Sequence, residues 1–75
     1  MQYGAINIDP ETMSGTPVFT GTRVPITFLF DYLQGSTIEE FLENYPTVSR
    51  EQIFAVLEKT KTLLQKEEFY HENFA

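Results

Sequence analysis

Three helix-breaking residues divide the chain after its first third into separate amphipathic stretches. Pro25, Gly35 and Pro46 stand at the borders of runs in which apolar residues recur at helical spacing. Pro25 suits the first position of a helix, Gly35 suits the cap after its last residue, and Pro46 prevents a second helix from continuing. Because the chain has only 75 residues, we expect one small, mainly-α domain with three helices.

Each predicted helix has one apolar face. Capping boxes at 37–40 and 49–52 mark the starts of the second and third helices, because Thr or Ser is followed three residues later by Glu or Gln. The three faces consist of Ile26, Leu29, Phe30 and Leu33, then of Ile38, Phe41, Leu42 and Tyr45, and finally of Ile53, Val56, Leu57, Thr60, Leu63 and Leu64. If the third helix persists, Tyr70 and Phe74 extend its face beyond what so small a bundle covers.

The residues before the helices have β character. Ile6 and Ile8 alternate with smaller or polar neighbours, which predicts a short strand with one buried face. Residues 17–20 and 22–24 are β-prone and flank Gly21, which predicts a hairpin with a positive φ at that glycine. Asp9 is expected to cap the turn that follows the first strand. We therefore divide the single domain into a β lead-in (1–25), a helical bundle (26–66) and a C-terminal extension (67–75).

Charge and composition limit the classes of function. Five basic and eleven acidic residues give a net charge of −6, which opposes non-specific attraction to nucleic acid and to anionic membranes. The chain has no cysteine to form disulfides. We find neither a signal-peptide pattern nor an apolar run approaching the roughly 18 residues that would span a bilayer. These observations predict a cytoplasmic protein that does not enter the membrane.

The aromatic content predicts contact with another protein chain. Seven Phe and four Tyr are more large rings than a domain of this size readily buries. Phe28 and Tyr32 lie four residues apart and off the apolar face of the first helix, so we expect them at a dimer interface. The alternative is that these rings complete the core or are ordinary surface residues.

Nearly the whole chain, from about Ile6 to Leu64, resembles domain-of-unknown-function family 433. The resemblance rests on I-x-I-D-P-E-x-x-x-G-T-P-V-F-x-G-T-R-V-P-I and on the later L-Q-G-S-T-I-E-E-F-L-E-N-Y-P-T-V-S-R-E-Q-I. It implies a homeodomain-like helix-turn-helix bundle with a β lead-in. It also implies a non-catalytic antitoxin, similar to the VapB type, that binds a PIN-type nuclease toxin often encoded by the adjacent gene. Family members commonly have a lysine where this chain has Thr16.

The C-terminal extension is the predicted toxin-binding segment, and we expect the protein to act as a homodimer. The segment combines acidic residues, which would steer association with a basic cleft, with rings that would anchor the contact. The candidate contacts are Glu67, Phe69, Tyr70 and Phe74.

The alternative function is a helix-turn-helix regulator that represses its own operon. The third helix would then read DNA, with Arg50, Gln52 and Lys59 as candidate contacts. Its exposed early positions are expected to be Arg50, Glu51, Phe54 and Glu58, which offer one basic residue beside two acids. Lys61 and Lys66 are scattered around the helix, so the charge pattern disfavours autonomous DNA binding. A purely structural adaptor is a third hypothesis.

Several residues of the family motif are predicted to be scaffold. This group consists of Gly15, Pro17, Gly21, Thr22, Arg23, Pro25 and Pro46. We expect Arg23 to bond helix C-terminal carbonyls or Asp31 and thereby fix the lead-in to the bundle. The alternative is that Arg23 contacts a phosphate or a toxin.

Catalysis is not expected. The only histidine is His71 near the terminus, and no cysteine is present, so the hydroxyl residues lack a base to activate them. Glu39 and Glu40 are adjacent on a predicted helix, so their side chains diverge and do not form an acid–base pair. The sequence therefore predicts neither an enzyme nor a metal or cofactor site.

Overall fold

A computed structural model describes residues 2–11 and 13–65 of the protein. At residues 2, 3 and 13 it describes the backbone alone. This part of the chain forms strands β1 (Gln2–Tyr3), β2 (Ile6–Asn7) and β3 (Val18–Phe19), then helices α1 (Ile26–Tyr32), α2 (Ile38–Asn44) and α3 (Arg50–Leu64). A 3₁₀ turn occupies Met13–Gly15. The predicted mainly-α fold with a β lead-in is confirmed. None of the described helices is both long enough and apolar enough to span a membrane.

The lead-in is an antiparallel sheet of very short strands in the order β1-β2-β3. Tyr3 pairs with Ile6, and Ile6 pairs in turn with Phe19. The strand predicted at Ile6 is confirmed, whereas β1 was not predicted. The signal for β1 is the two-residue connection between β1 and β2, in which Gly4 has a φ of 63°.

The predicted hairpin around Gly21 is confirmed at its turn but wrong in its second strand. Gly21 has the expected positive φ, 79°, and the turn closes with a 3.0 Å hydrogen bond from the Thr22 N–H to the Phe19 carbonyl. Residues 22–24 do not form a strand, and the return chain makes only one isolated bridge, between Val18 and Pro25. The reason is local, because the Thr22 hydroxyl, rather than a facing strand, accepts the Val24 N–H at 3.0 Å.

The predicted cap at Asp9 is confirmed. Its Oδ1 accepts the Glu11 N–H at 3.0 Å, which is the Asx-type turn expected of an aspartate before proline. The Asp9 carbonyl accepts the Gly15 N–H at 3.2 Å. Gly15 has a φ of 79° and Ser14 a φ of 53°, so this turn brings the chain back toward β2.

Both predicted capping boxes are confirmed. At the start of α2, the Thr37 hydroxyl accepts the Glu40 N–H at 3.2 Å and the Glu40 carboxylate accepts the Thr37 N–H at 3.0 Å. At the start of α3, Ser49 and Gln52 exchange the equivalent bonds at 3.1 and 3.0 Å. Each box satisfies backbone N–H groups that would otherwise have no partner within the helix.

The two ends of α1 differ from the prediction. Pro25 is the residue before the helix, with an extended ψ of 140°, rather than the first helical residue. The helix ends at Tyr32, and Leu33 is its cap. Gly35 therefore does not cap the helix; it lies in the turn beyond it, and its φ is not in the left-handed region. Its N–H donates to the Tyr32 carbonyl at 3.2 Å.

The core lies where the three helices meet β3. Its buried side chains are Val18, Phe19, Ile26, Leu29, Phe41, Val48, Ile53 and Val56. The Phe41 ring is central, since its centroid lies 6.1 Å from that of Phe19, 5.4 Å from that of Tyr32 and 4.8 Å from that of Tyr45. Burying one such side chain contributes about 1.5–3 kcal/mol, so these residues dominate the stability of the fold.

Two residues of α1 have the opposite exposure from that predicted. Phe30, predicted to face the core, is 37% exposed, whereas Tyr32, predicted to lie off the core, is half-buried and packs against it. Successive residues of a helix are about 100° apart, so Phe30 lies about 100° from the fully buried Leu29, and Tyr32 only about 60° from it. The core-facing arc is therefore centred on Leu29 and includes Tyr32.

Candidate functional site

A cavity of about 650 Å³, lined by both polar and apolar residues, lies beside the turn that contains Gly21. Residues from the β lead-in and from the turn between α2 and α3 form its wall. The polar residues of this wall are Asn7, Asp9, Thr16, Thr22, Arg23 and Thr47. We call this feature the turn cavity.

Hydrogen bonds fix the turn at the edge of this cavity. The Thr22 hydroxyl donates to the Phe19 carbonyl at 2.8 Å and accepts the Val24 N–H at 3.0 Å. The Phe19 N–H donates to the Val24 carbonyl at 3.0 Å. Since Thr22 satisfies backbone groups on both sides of Arg23, the predicted scaffold role of Thr22 has a clear physical basis, and the backbone of Arg23 is held in place.

Within the described residues, the side chain of Arg23 makes none of the structural bonds that the sequence predicts. Arg23 is exposed, and it makes no hydrogen bond or ion pair with Asp31, with a helix carbonyl or with any other residue of the described chain. The other basic residues there, Arg50, Lys59 and Lys61, all take part in interactions. In the part of the chain that the structure describes, no protein group therefore bonds the guanidinium of Arg23.

Gln52 has a structural role that extends beyond its helix cap. Its Oε1 accepts the Ser49 N–H at 3.0 Å, and its Nε2 donates to the Thr20 carbonyl at 2.8 Å. Thr20 in turn donates through its hydroxyl to the Gly4 carbonyl at 2.7 Å. One end of the amide therefore closes the cap of α3 and the other joins α3 to the β lead-in, so Gln52 has no free end with which to read a DNA base.

The candidate DNA contacts on α3 are placed as follows. The exposed positions predicted near the start of the helix, Arg50, Glu51, Phe54 and Glu58, are all exposed. Arg50 donates to the Glu39 carboxylate at 3.2 Å, and Lys59 lies on the opposite half of the helix, beside the apolar groove described below. Arg50, Gln52 and Lys59 do not form one basic surface.

The pKa of Glu39 lies below its ordinary value of 4.5. The main cause is a hydrogen bond from its own backbone N–H, and the next is the bond from Arg50. Glu39 is a first-turn residue of α2, where a negative charge is favoured by the helix dipole. On this surface the charge of Arg50 is thus paired with that of Glu39 in an exposed contact.

An apolar groove of about 490 Å³ lies between β2, the start of α1 and the second half of α3. Its wall consists of Ile6, Ile8, Pro17, Ile26, Thr27, Lys59 and Leu63. Leu63 is 53% exposed and Leu64 is 52% exposed. The apolar face of α3 thus continues past the described core, as its sequence spacing predicts.

The predicted dimer residues Phe28 and Tyr32 lie near one another but differ in exposure. Phe28 is 42% exposed, and its ring centroid lies 6.1 Å from that of Tyr45. The Tyr32 ring lies 6.0 Å from that of Tyr45 and contacts the core. Phe28 is therefore the outer end of a continuous ring cluster, and its role at a dimer interface remains a prediction.

The predicted toxin contacts Glu67, Phe69, Tyr70 and Phe74 lie outside the described residues, as do Lys66 and His71. The predicted scaffold residues Pro17 and Pro46 lie within them. The Pro17 carbonyl accepts the N–H of Ile26, the first residue of α1, at 2.9 Å, and Pro46 follows the cap of α2. Among residues 2–11 and 13–65, no group of acidic or histidine side chains is arranged to hold a metal ion.

The comparisons with known proteins identify a family. The model of the family described as "Protein of unknown function (DUF433)" matches residues 6–58. No curated protein and no solved structure matches the chain. The matched range includes the β2 and β3 strands, the turn cavity, α1, α2 and the first half of α3. Because the match covers more than half of its length, the chain belongs to the DUF433 family of proteins of unknown function.

Proposed function

We propose that this protein is a non-catalytic, antitoxin-like binding module that acts as a homodimer and neutralises a PIN-type nuclease toxin. The observation that carries the proposal is the apolar surface that the described chain leaves uncovered. The apolar groove and the exposed Leu63 and Leu64 lie side by side along the second half of α3. Surfaces of this kind on small proteins mark contacts with another protein.

The size of the domain supports a protein partner. A chain of 75 residues buries only about 60% of its unfolded surface, so its stability is marginal without further burial. Two exposed leucines at the end of a helix gain free energy when another apolar surface covers them, about 25 cal/mol per Å². Association therefore stabilises both the complex and the fold of this chain.

The net charge of −6 supports the choice of partner. An acidic protein is steered toward a basic cleft, of the kind that a nuclease uses to hold the RNA backbone. The segment 67–74 is acidic and contains aromatic rings, and it begins three positions after Leu64, the last residue of α3, so we assign to it the contact with the toxin. Steering by charge predicts association that slows as the salt concentration rises.

Co-expression with the product of the adjacent gene tests the proposal. We expect the two proteins to elute together in size-exclusion chromatography, and we expect a chain truncated after Leu64 to lose the complex. Independent elution of the full-length chain would contradict the proposed function. Undiminished binding by the truncated chain would contradict only the assignment of the contact.

Substitutions in the full-length chain test whether the segment 67–74 makes the contact with the toxin. The triple change Phe69→Ala, Tyr70→Ala and Phe74→Ala removes the rings from the assigned segment without shortening the protein. Phe54→Ala is the matched control, because Phe54 is a ring on α3 that is 51% exposed. We expect the triple variant to weaken toxin binding and the control variant to bind as the parent does.

The helix-turn-helix layout supports an operator-binding regulator as a second candidate. Helix α2 and the longer α3 are joined by a short turn, Tyr45–Ser49, as in DNA-binding proteins of this layout. Arg50 is the candidate phosphate contact, and its exposed ion pair with Glu39 would open at small cost. Arg50→Ala should weaken operator binding and reduce its salt dependence in a mobility-shift series. An unchanged series would exclude this use of Arg50.

A further inference from the structure

The turn cavity has an unusual wall, because several of its polar side chains take no part in holding the fold together. Within residues 2–11 and 13–65, the side chains of Asn7, Thr16, Arg23 and Thr47 make neither a hydrogen bond nor an ion pair. Thr22, by contrast, is fully used by the turn. The wall therefore offers one guanidinium, two hydroxyls and one carboxamide to whatever enters the cavity.

The donors in this wall favour an anionic ligand. A guanidinium offers five N–H groups and no acceptor, and hydroxyls and a carboxamide add further donors. The one acidic residue of the wall, Asp9, already accepts the Glu11 N–H through its Oδ1 at 3.0 Å. A cation would meet Arg23, whereas an oxygen anion would find a charged partner and neutral donors together.

The charge balance favours a monoanion over a phosphate. Arg23 is the one basic residue of the wall and Asp9 its one acidic residue, so the wall neutralises at most one negative charge. The protein as a whole carries a net charge of −6, which repels a polyanion such as nucleic acid. A carboxylate carries one charge, and its two oxygens match the fork of a guanidinium.

The local backbone holds Arg23 in place before any ligand binds. Gly21 adopts a φ of 79°, Thr22 bonds the backbone on both sides of Arg23, and Pro25 has a fixed φ of −61°. In the described chain, the N–H groups of Gly21 and Arg23 donate to no backbone or side-chain acceptor. A turn held in this way loses little entropy when a ligand binds.

We propose that the turn cavity is a carboxylate-binding site, with Arg23 as its charged anchor and Asn7, Thr16 and Thr47 as neutral hydrogen-bonding groups. Its volume of about 650 Å³ lies within the range of small-ligand sites. The carboxylate belongs either to an Asp or Glu side chain of another protein or to a free organic acid. This site is independent of the apolar groove and of the toxin contact proposed above.

Nuclear magnetic resonance titration of the full-length protein tests the site. Sodium acetate replaces sodium chloride at constant ionic strength, and the backbone amide signals of residues 16, 21–23 and 47 and the Nε–H signal of Arg23 are followed. We expect saturable shifts at these positions. Arg23→Ala should abolish them, and Arg23→Lys, which loses the fork, should weaken binding about tenfold or more. Arg50→Ala is the matched control and should leave the shifts unchanged.

Two further ligands distinguish the sources of the anion. Saturation by the peptide acetyl-Gly-Glu-Gly-amide as well as by acetate would support a side chain of a protein as the ligand. Saturation by acetate alone would support a free organic acid. Tighter binding of inorganic phosphate than of acetate would overturn the assignment to a carboxylate. Shifts that never saturate, or that persist in Arg23→Ala, would overturn the site itself. Because Arg23 bonds nothing in the described chain, the Arg23→Ala variant should fold normally.

Discussion

Gln52 is predicted to stabilise the fold through two hydrogen bonds that act on different elements. One bond closes the cap of α3 with Ser49, and the other ties α3 to the Thr20 carbonyl at 2.8 Å. Each bond has a net worth of about 0.5–1.5 kcal/mol, and the side chain is half-buried. Gln52→Ala should therefore lower the free energy of unfolding by about 2 kcal/mol.

The variant Gln52→Glu separates the two contributions. A glutamate still accepts the Ser49 N–H, since Ser-x-x-Glu is itself a capping box. It cannot donate to the Thr20 carbonyl and would place a negative charge beside that oxygen. We expect Gln52→Glu to lower the free energy of unfolding by about 1 kcal/mol or more. If the cap alone mattered, this variant would be as stable as the parent.

Urea unfolding followed by circular dichroism measures both effects. Gln34→Ala is the matched control, because Gln34 is an exposed glutamine in the turn after α1 and should change the free energy of unfolding by less than about 0.5 kcal/mol. A loss of 1 kcal/mol shifts the melting temperature of so small a domain by about 4–8 °C. If Gln52→Glu has parental stability, α3 is not tied to the lead-in through Thr20.

Three further variants test the core, the surface ion pair and the exposed end of α3. Phe41→Ala removes the fully buried central ring and should cost about 3–5 kcal/mol; a loss below about 1 kcal/mol in urea unfolding would contradict its central place. Arg50→Ala should raise the pKa of Glu39 toward the ordinary 4.5, and carboxyl NMR titration would refute the pairing if the pKa stayed the same. Because the pKa of Glu39 is lowered in the folded state, the stabilisation from its charge is present above the pKa of the unfolded state. That stabilisation is lost as the pH falls through the pKa of the folded state. The exposed end of α3 is a second candidate for the dimer contact, besides Phe28 and Tyr32. The double change Leu63→Asp and Leu64→Asp should weaken self-association in sedimentation velocity; an unchanged mass distribution would exclude this surface from the dimer contact.

The features that the sequence predicted well are those set by local chemistry. The caps at Thr37 and Ser49 are confirmed because each depends on residues three positions apart on the same chain. The positive φ of Gly21 is confirmed for a similar reason, since the backbone of a tight turn excludes most other residues. In both cases the residues that carry the sequence signal lie within a few positions of the structure that they form.

The features that were predicted wrongly depend on packing between distant residues. Helix α1 has only seven residues, so its apolar positions suit more than one core-facing arc. Tyr32 rather than Phe30 joins the core because the Phe41 and Tyr45 rings lie against it. Gly35 illustrates the same limit, because glycine permits a left-handed cap without requiring one. The spacing of apolar residues in α1 indicates neither the rings that lie against Tyr32 nor the conformation of Gly35.

One core residue and one residue of the turn cavity had weak signals in the sequence. Val48 is buried in the turn between α2 and α3, where no periodic pattern marks an inward-facing side chain. Arg23 was assigned to a structural bond because it stands between residues that restrict the backbone. The backbone of Arg23 is indeed restricted. Whether its guanidinium bonds another residue, however, depends on how far away the surrounding hydrogen-bond acceptors lie. A single sequence does not contain those distances.

The nuclease activity of the adjacent gene product, measured with increasing amounts of this protein, tests the proposed function most directly. We predict that cleavage of a labelled RNA falls to background near equimolar addition and that the protein truncated after Leu64 fails to inhibit. Nuclease activity that persists in the presence of a large molar excess of the full-length protein would contradict the account.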